Sequence, residues 1–266
     1  MVRRRESIAT WRGALEGTSN WIPRRRIRLA ILIALFFAAT AVMGALRSPW
    51  ALLLLIPAAG AGFAAFVMLR IKRQLSAGWQ QRIHDSVAHR LALAPDAMDA
   101  VLDIGCGDAS LLATLRRRAT GIAATGVDFW GSDWDYAQSA CEARLPDAAF
   151  RRMDAGQLDF PDACFDCVTS VMCFHEVPAR DGVALPGPLV AVTEALRVLK
   201  PGGRFVLVDR FRDTADYGDP AALHAILAAI PDLRRERLIE TLGIPWPLNG
   251  KRSLGPVDIL SGSKPA

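Results

Sequence analysis

Two uncharged runs, separated by only three residues, constrain this chain more than any other feature. Leu29–Leu46 covers 18 residues without an Asp, Glu, Lys or Arg, and Thr40 is its most polar member. Arg47-Ser48-Pro49 follows, and Trp50–Leu69 adds 20 more uncharged residues. As helices rising about 1.5 Å per residue, the two runs would be about 27 and 30 Å long, which matches the hydrocarbon core of a bilayer. A transmembrane helical hairpin is therefore expected over residues 29–69. Pro57, Gly60 and Gly62 would weaken a water-soluble helix, but lipid-embedded helices tolerate them and use small residues to pack closely. A cleaved leader would start near the first residue and end at a small-residue cleavage site; this stretch starts at residue 29 and runs into a second apolar run.

The charge distribution points the same way. Residues 1–28 carry eight arginines against Glu6 and Glu16, a surplus of six, while the whole chain is only +5; everything beyond residue 28 sums to −1. A nucleic-acid-binding domain spreads basic charge over its folded surface, so no nucleic-acid partner is expected. The basic segment 1–28 flanks one side of the hairpin, and Arg70, Lys72 and Arg73 flank the other, against Arg47 alone in the turn. By the positive-inside rule both ends lie in the cytoplasm, giving a multi-pass protein of the cytoplasmic (inner) membrane whose remaining chain folds on the cytoplasmic side. Trp21 and Trp50 stand at opposite interfaces, as belt residues do. Five cysteines, an odd number scattered along the chain, suit a reducing compartment rather than a disulfide scaffold.

Residues 70–95 form a connector. Leu75, Trp79, Ile83, Val87 and Leu91 recur every four residues, which predicts an amphipathic helix over 75–91. From residue 96 to 266 strands and helices alternate. Strands are expected at Val101–Ile104, Ile122–Asp128, Ala149–Met153, Phe165–Phe174 and Arg204–Val208, with helices at Ser110–Arg118, Trp134–Arg144 and Leu189–Leu199. The segment 220–242 reads as helical, and Val257–Gly262 as a last strand, antiparallel at an edge. The expected fold class is α/β, a Rossmann-like, doubly wound, mostly parallel sheet preceded by the two-helix hairpin, with ligands at the carboxyl ends of the strands.

The first strand and its turn read Val101-Leu-Asp-Ile-Gly-Cys-Gly-Asp-Ala-Ser110. Glycines after a buried strand let the backbone approach a ligand, and the helix that follows offers its N-terminus. A dinucleotide fingerprint would place a third glycine at Ser110 and has no use for Asp103. The second strand ends in Gly126-Val-Asp-Phe129, 23 residues from Gly105 to Asp128; the third ends in Met153-Asp154-Ala155. Phe160-Pro-Asp-Ala-Cys-Phe-Asp166 opens the fourth strand and Leu196-Arg-Val-Leu-Lys-Pro-Gly-Gly-Arg-Phe205 the fifth.

This ordered set resembles the class I S-adenosylmethionine-dependent methyltransferases, in particular bacterial type 11 methyltransferase domains. The resemblance covers about residues 76–262, with the signature in 101–209. Gly126–Glu142 followed by Phe174-His-Glu-Val177 also resembles a narrower set of membrane-anchored bacterial methyltransferases. The resemblance implies that Asp103, Gly105 and Gly107 hold the methionyl end of S-adenosylmethionine and that Asp128 takes the ribose with Phe129 against the adenine. It also implies that Asp154 accepts from the adenine amino group while the Ala155 backbone meets the ring edge. Lys200–Gly203 is then a structural turn rather than a contact.

His175, with Glu176 beside it, is expected at the carboxyl end of the fourth strand, where the methyl group should point. It is the candidate general base if the acceptor must lose a proton, and otherwise a wall of the pocket. Cys164-x-x-Cys167 with Cys173 and His175 invites a zinc reading. Cys164 falls in a turn and Cys167 inside a strand, however, rather than on a knuckle, so no metal is expected. The function expected is a membrane-anchored methyltransferase acting on a small, apolar or lipid-like acceptor; the alternative is a non-catalytic, S-adenosylmethionine-binding membrane sensor or partner-binding module.

Overall fold

The structure, a computed structural model, describes residues 21–131, 134 and 136–266. Arg3, Arg4, Arg5 and Arg12 of the basic segment lie outside the described residues, as does Asp135 of the helix expected from Trp134. The described residues form two compact units, 21–80 with Trp134, and 81–131 with 136–266.

The first unit is the apolar pair. Helix α1 (Arg24–Ala45) starts five residues before the uncharged run and carries its arginines in the first turns. The chain re-enters through a 3-10 turn, Pro49–Leu54, rather than directly as an α-helix, and then forms α2 (Leu55–Gln74). Pro57 falls in the first turn of α2, where a missing N–H leaves no helical bond broken. Small residues, Ala41, Ala58 and Ala65, are buried along the pair, and a side chain at Gly44 would stand 2.7 Å from the Ala51 methyl. Bulky side chains point outward instead: Phe36, Leu46, Trp50 and Ile56 are all at least 66% exposed. Ile27, Ile71 and Lys72 are also buried, toward the flanks of the pair. Both helices are long and apolar enough to cross a membrane. The Lys72 ammonium donates to the Ile22 carbonyl at 2.9 Å, tying the two flanks of the pair together.

The helix expected over 75–91 is interrupted. Leu75–Trp79 forms a wide turn in which Ala77 leaves helical geometry and Gly78 takes φ +112°, a conformation that favours glycine. Helix α3 then runs Gln80–Leu91 and buries Ile83, Val87 and Leu91.

The second unit is built on β1 (Ala100–Ile104), β2 (Ala123–Asp128), β3 (Ala149–Arg152), β4 (Phe165–Val171), β5 (Leu199–Asp209), β6 (Arg234–Arg237) and β7 (Asp258–Ser263), in the order β3-β2-β1-β4-β5-β7-β6. The pairs from β3 through β5 are parallel, while β7 is antiparallel to both β5 and β6. Val101, Leu102 and Ile104 of β1 and Phe205–Val208 of β5 are unbroken buried runs, as strands covered on both faces require. The coverings include α4 (Ser110–Arg118), which buries Leu111, Leu112 and Leu115, and α6 (Gly187–Val198), which buries Leu189, Val192 and Ala195. Strand order reverses between β1 and β4, and in doubly wound sheets ligands bind at the carboxyl ends of the strands at such a switch point.

Several boundaries differ from expectation. Helix α5 (Gln138–Arg144) starts at Gln138, not Trp134, because Ala137 is extended (φ −131°, ψ 158°). Strand β4 stops at Val171; Met172 has φ +57°, and Phe174–Glu176 form a 3-10 turn. Residues Lys200–Gly203 bulge between two in-register pairs, Phe165–Leu199 and Cys167–Arg204. Only part of 220–242 is helical: after α7 (Thr214–Tyr217), α8 (Pro220–Leu227) ends before Pro231, β6 follows, and α9 (Leu238–Leu242) closes the segment. Strand β7 is therefore not at an edge, since β6 covers it.

Candidate active site

The turn after β1 is shaped by backbone bonds and by what stands behind it. Gly105 and Cys106 both donate to the Val127 carbonyl, at 2.8 and 3.0 Å, so the chain folds over the end of β2. Gly105 has φ +73°, and a side chain there would lie 2.3 Å from Cys173 Cβ and Sγ; only glycine fits. Gly107, φ +58°, is held from three sides: its N–H donates to Asp128 Oδ2 (2.9 Å), and its carbonyl accepts from Trp130 Nε1 (2.9 Å) and the Cys141 thiol (3.1 Å). Asp128 Oδ1 accepts from the Trp130 N–H at 2.9 Å. The Phe129 backbone N–H is a third donor to this carboxylate, which as an acceptor of about four bonds keeps room for a further donor.

Asp103 sits one strand over, paired in register with Gly126 and Thr169. The Thr169 hydroxyl donates to its Oδ1 at 2.9 Å. Burial pushes the Asp103 carboxyl up to about 7, against the Thr169 bond, and the charge of Asp128 adds to the rise. Burial also raises Asp128, opposed by its bonds from Trp130 and Gly107. Among the described residues no Lys, Arg or His forms an ion pair with either carboxylate. A buried and a half-buried acid beside a glycine turn are suited to a cationic ligand.

At the ends of β2 and β3, Phe129 is 59% exposed, and the Arg152 guanidinium lies 4.8 Å from its ring centre. Asp154 Oδ1 accepts from Gly156 N–H at 2.8 Å, while Oδ2 pairs with Arg180 at 2.7 Å. Ala155 packs against the core nearby. Past β4, His175 Nδ1 lies 2.7 Å from Asp209 Oδ1 at the end of β5, and Nε2 lies 3.6 Å from Glu176 Oε1. Burial lowers His175, but the Asp209 and Glu176 carboxylates outweigh it and the net direction is upward.

The structure thus brings Asp103, Gly105, Gly107 and Asp128 together, sets Phe129, Asp154 and Ala155 at the neighbouring strand ends, and places His175 in the 3-10 turn that follows β4. Asp209, Thr169, Trp130, Cys141 and Arg180 were not legible as site residues. Asp209 had a signal, a carboxylate directly after the apolar run of β5, the same feature that marks Asp128.

A doubly wound sheet with an acidic glycine turn at its switch point is the architecture of class I methyltransferases. The Methyltransferase domain family matches residues 102–207. The phosphatidylethanolamine N-methyltransferase of Cereibacter sphaeroides is 32% identical over 150 residues, 55% of this chain and 68% of that protein. The demethylmenaquinone methyltransferase of Thermus thermophilus is 34% identical over 143 residues, 52% and 59% of the two chains. The chain spans 44% of the length of the Tropheryma whipplei demethylmenaquinone methyltransferases it matches. Among solved structures, a chain from the complex of the Haloferax volcanii Trm112 methyltransferase activator with its methyltransferase superposes with a TM-score of 0.51 at 22% identity. That match covers 74% of this chain and 94% of the other, and it bears on the fold alone. The chain belongs to the class I S-adenosylmethionine-dependent methyltransferases.

Proposed function

We propose that this protein is a membrane-anchored enzyme that transfers a methyl group from S-adenosylmethionine to a small, apolar or lipid-like acceptor. The observation that carries the reading is the glycine turn, locked by Asp128 and backed by Asp103, with neither carboxylate ion-paired among the described residues. S-adenosylmethionine bears a sulfonium and an ammonium, the charges such a turn would welcome, and when bound it supplies an electrophilic methyl group. Asp103 would face the ammonium, with the Gly105 and Gly107 backbone close to the methionyl chain. Asp128 would accept from the ribose hydroxyls, Phe129 would lie against the adenine, and Asp154 with the Ala155 backbone would take the ring's amino edge. For Asp154 this requires sharing an oxygen with Gly156 N–H or displacing Arg180.

The acceptor class is supported by the relatives, whose names include demethylmenaquinone, phosphatidylethanolamine and fatty-acid methyltransferases. It is also supported by the two apolar helices, since tethering an enzyme at a bilayer raises the effective concentration of acceptors dissolved there. With the flanking arginines inside, the methyltransferase unit would face the cytoplasm. The test is to reconstitute the full chain in vesicles of bacterial total lipid extract and add methyl-labelled S-adenosylmethionine. Label in the organic phase is the expected result. Cofactor binding with no label in any lipid would instead make the protein a sensor.

A further inference from the structure

The geometry points to a proton-accepting pair, His175 held by Asp209, and through it to an acceptor class: a weakly acidic hydroxyl, phenolic or quinolic, on an apolar body. The inference rests on the methyltransferase reading. Asp209 is 1% exposed and cannot swing away. Its Oδ1 accepts from Arg210 N–H (2.6 Å) and its Oδ2 from Phe174 N–H (2.7 Å), in addition to the His175 ring. With the Asp209 oxygen accepting at Nδ1, the neutral imidazole carries its proton on Nδ1 and its lone pair on Nε2. The turn is fixed too. Phe174 is fully buried, and Cys173, two residues before His175, packs on the Gly105 turn. That contact places the pair beside the end of the site assigned to the methionyl group.

The surroundings raise the ring's affinity for a proton, so it serves as a base in its neutral form, above its raised pKa. Glu176 on the same turn and Asp209 on β5 hold positive charge on the ring, Arg210 opposes them, and Asp216 on α7 is close enough to interact. The Cys173 thiol and Tyr217 hydroxyl are kept neutral by burial. Such a pair matters for an acceptor that must lose a proton during transfer, and an imidazole suits best a hydroxyl that is itself weakly acidic. A carboxylic acid, ordinarily near pKa 4.3, is already ionised at neutral pH. A neutral amine attacks through its lone pair and sheds its proton afterwards. A phenolic hydroxyl, near pKa 10, must lose its proton as the new bond forms. In that step the O–H bond breaks toward His175 Nε2. The freed pair, on oxygen or on the conjugated ring carbon, forms the bond to the methyl carbon, and the methyl–sulfur bond breaks with its electrons staying on sulfur. Asp209 balances the imidazolium, which then returns its proton to water. Asp209 touches no reacting atom; it is a positioning residue.

The first test needs no acceptor. In the full chain in detergent, ring-15N-labelled histidine is titrated by NMR, with His175→Gln assigning the signal among the four histidines. The expected result is a neutral form protonated on Nδ1 that titrates above the ordinary histidine range, and a lower pKa in Asp209→Asn. A neutral form protonated on Nε2, or a titration unmoved by Asp209→Asn, overturns the pair. If Asp209→Asn does not fold, the wild-type tautomer decides. Single-turnover transfer is then measured with three probes in the same micelle: a prenylated naphthoquinol, phosphatidylethanolamine and a long-chain fatty acid. The naphthoquinol is expected to take the label, with His175→Gln slowing it by about 10²–10⁴-fold and leaving S-adenosylhomocysteine binding unchanged. Transfer to the amine or the carboxylate instead, or a naphthoquinol rate within about threefold in His175→Gln, overturns the inference and leaves the methyltransferase reading standing. Failure to bind S-adenosylmethionine at all overturns both.

Discussion

Asp103 is a carboxylate inside an apolar strand, and burial with the charge of Asp128 beside it carries its pKa up to about 7. A folded-state pKa above the unfolded one means that the native state binds the proton more tightly. The stability this contributes is full below the ordinary aspartate range and is lost as pH rises through about 7. A bound cation reverses the preference, so cofactor binding should expel a proton. S-adenosylmethionine affinity is expected to rise with pH by close to tenfold per unit below about pH 7, and binding heats should depend on the buffer's ionisation enthalpy. Asp103→Asn should flatten both, and a pH-independent affinity in the wild type would contradict the assignment. At this scale the sequence was legible where a residue type and its neighbours in the chain sufficed, as with Gly105, Gly107 and Asp128. It was not legible where a partner comes from far away: Asp209 meets His175 across 34 residues because β4 and β5 are neighbours, and Trp130 reaches back to Gly107 only because it adopts φ +43°.

The segment after β4 illustrates the next scale. Arg180, on the irregular stretch between the 3-10 turn and α6, pairs with Asp154 and also donates to Gln157 at 3.3 Å. The stretch that follows His175 is therefore pinned to the carboxylate proposed for the adenine. Both partners are partly exposed, so the pair is worth at most about 1 kcal/mol. Arg180→Gln should free Asp154 and tighten S-adenosylmethionine binding by up to about fivefold in calorimetry. Weaker binding would mean that Arg180 supports the cofactor rather than competing with it. Among elements, β1 and β5 could be read from their short apolar runs, as strands buried on both faces require, and β4 from its place in the alternation of strands and helices. Strand β6 could not. Its sequence is Arg-Arg-Glu-Arg, with no periodic apolar signal, and it is a strand because β7 offers it an open edge.

At the scale of the molecule, the proposal of an enzyme held at the membrane rests on the basic segment and the two apolar helices. A reporter inserted between Arg47 and Pro49 should lie on the side opposite to one fused after Ala266, which should report cytoplasm. A carboxyl-terminal reporter outside, or a full chain recovered in the aqueous fraction without detergent, would contradict the hairpin. The central claim, that the turn between Asp103 and Asp128 is an S-adenosylmethionine site, is tested most directly by calorimetry of the full chain in detergent. The account predicts one S-adenosylmethionine bound per chain, no binding of NAD, and affinity lower by about 2–3 kcal/mol in Asp128→Ala, from lost bonds to a charged acceptor. Binding of NAD, or S-adenosylmethionine affinity unchanged in a folded Asp128→Ala variant, would contradict it.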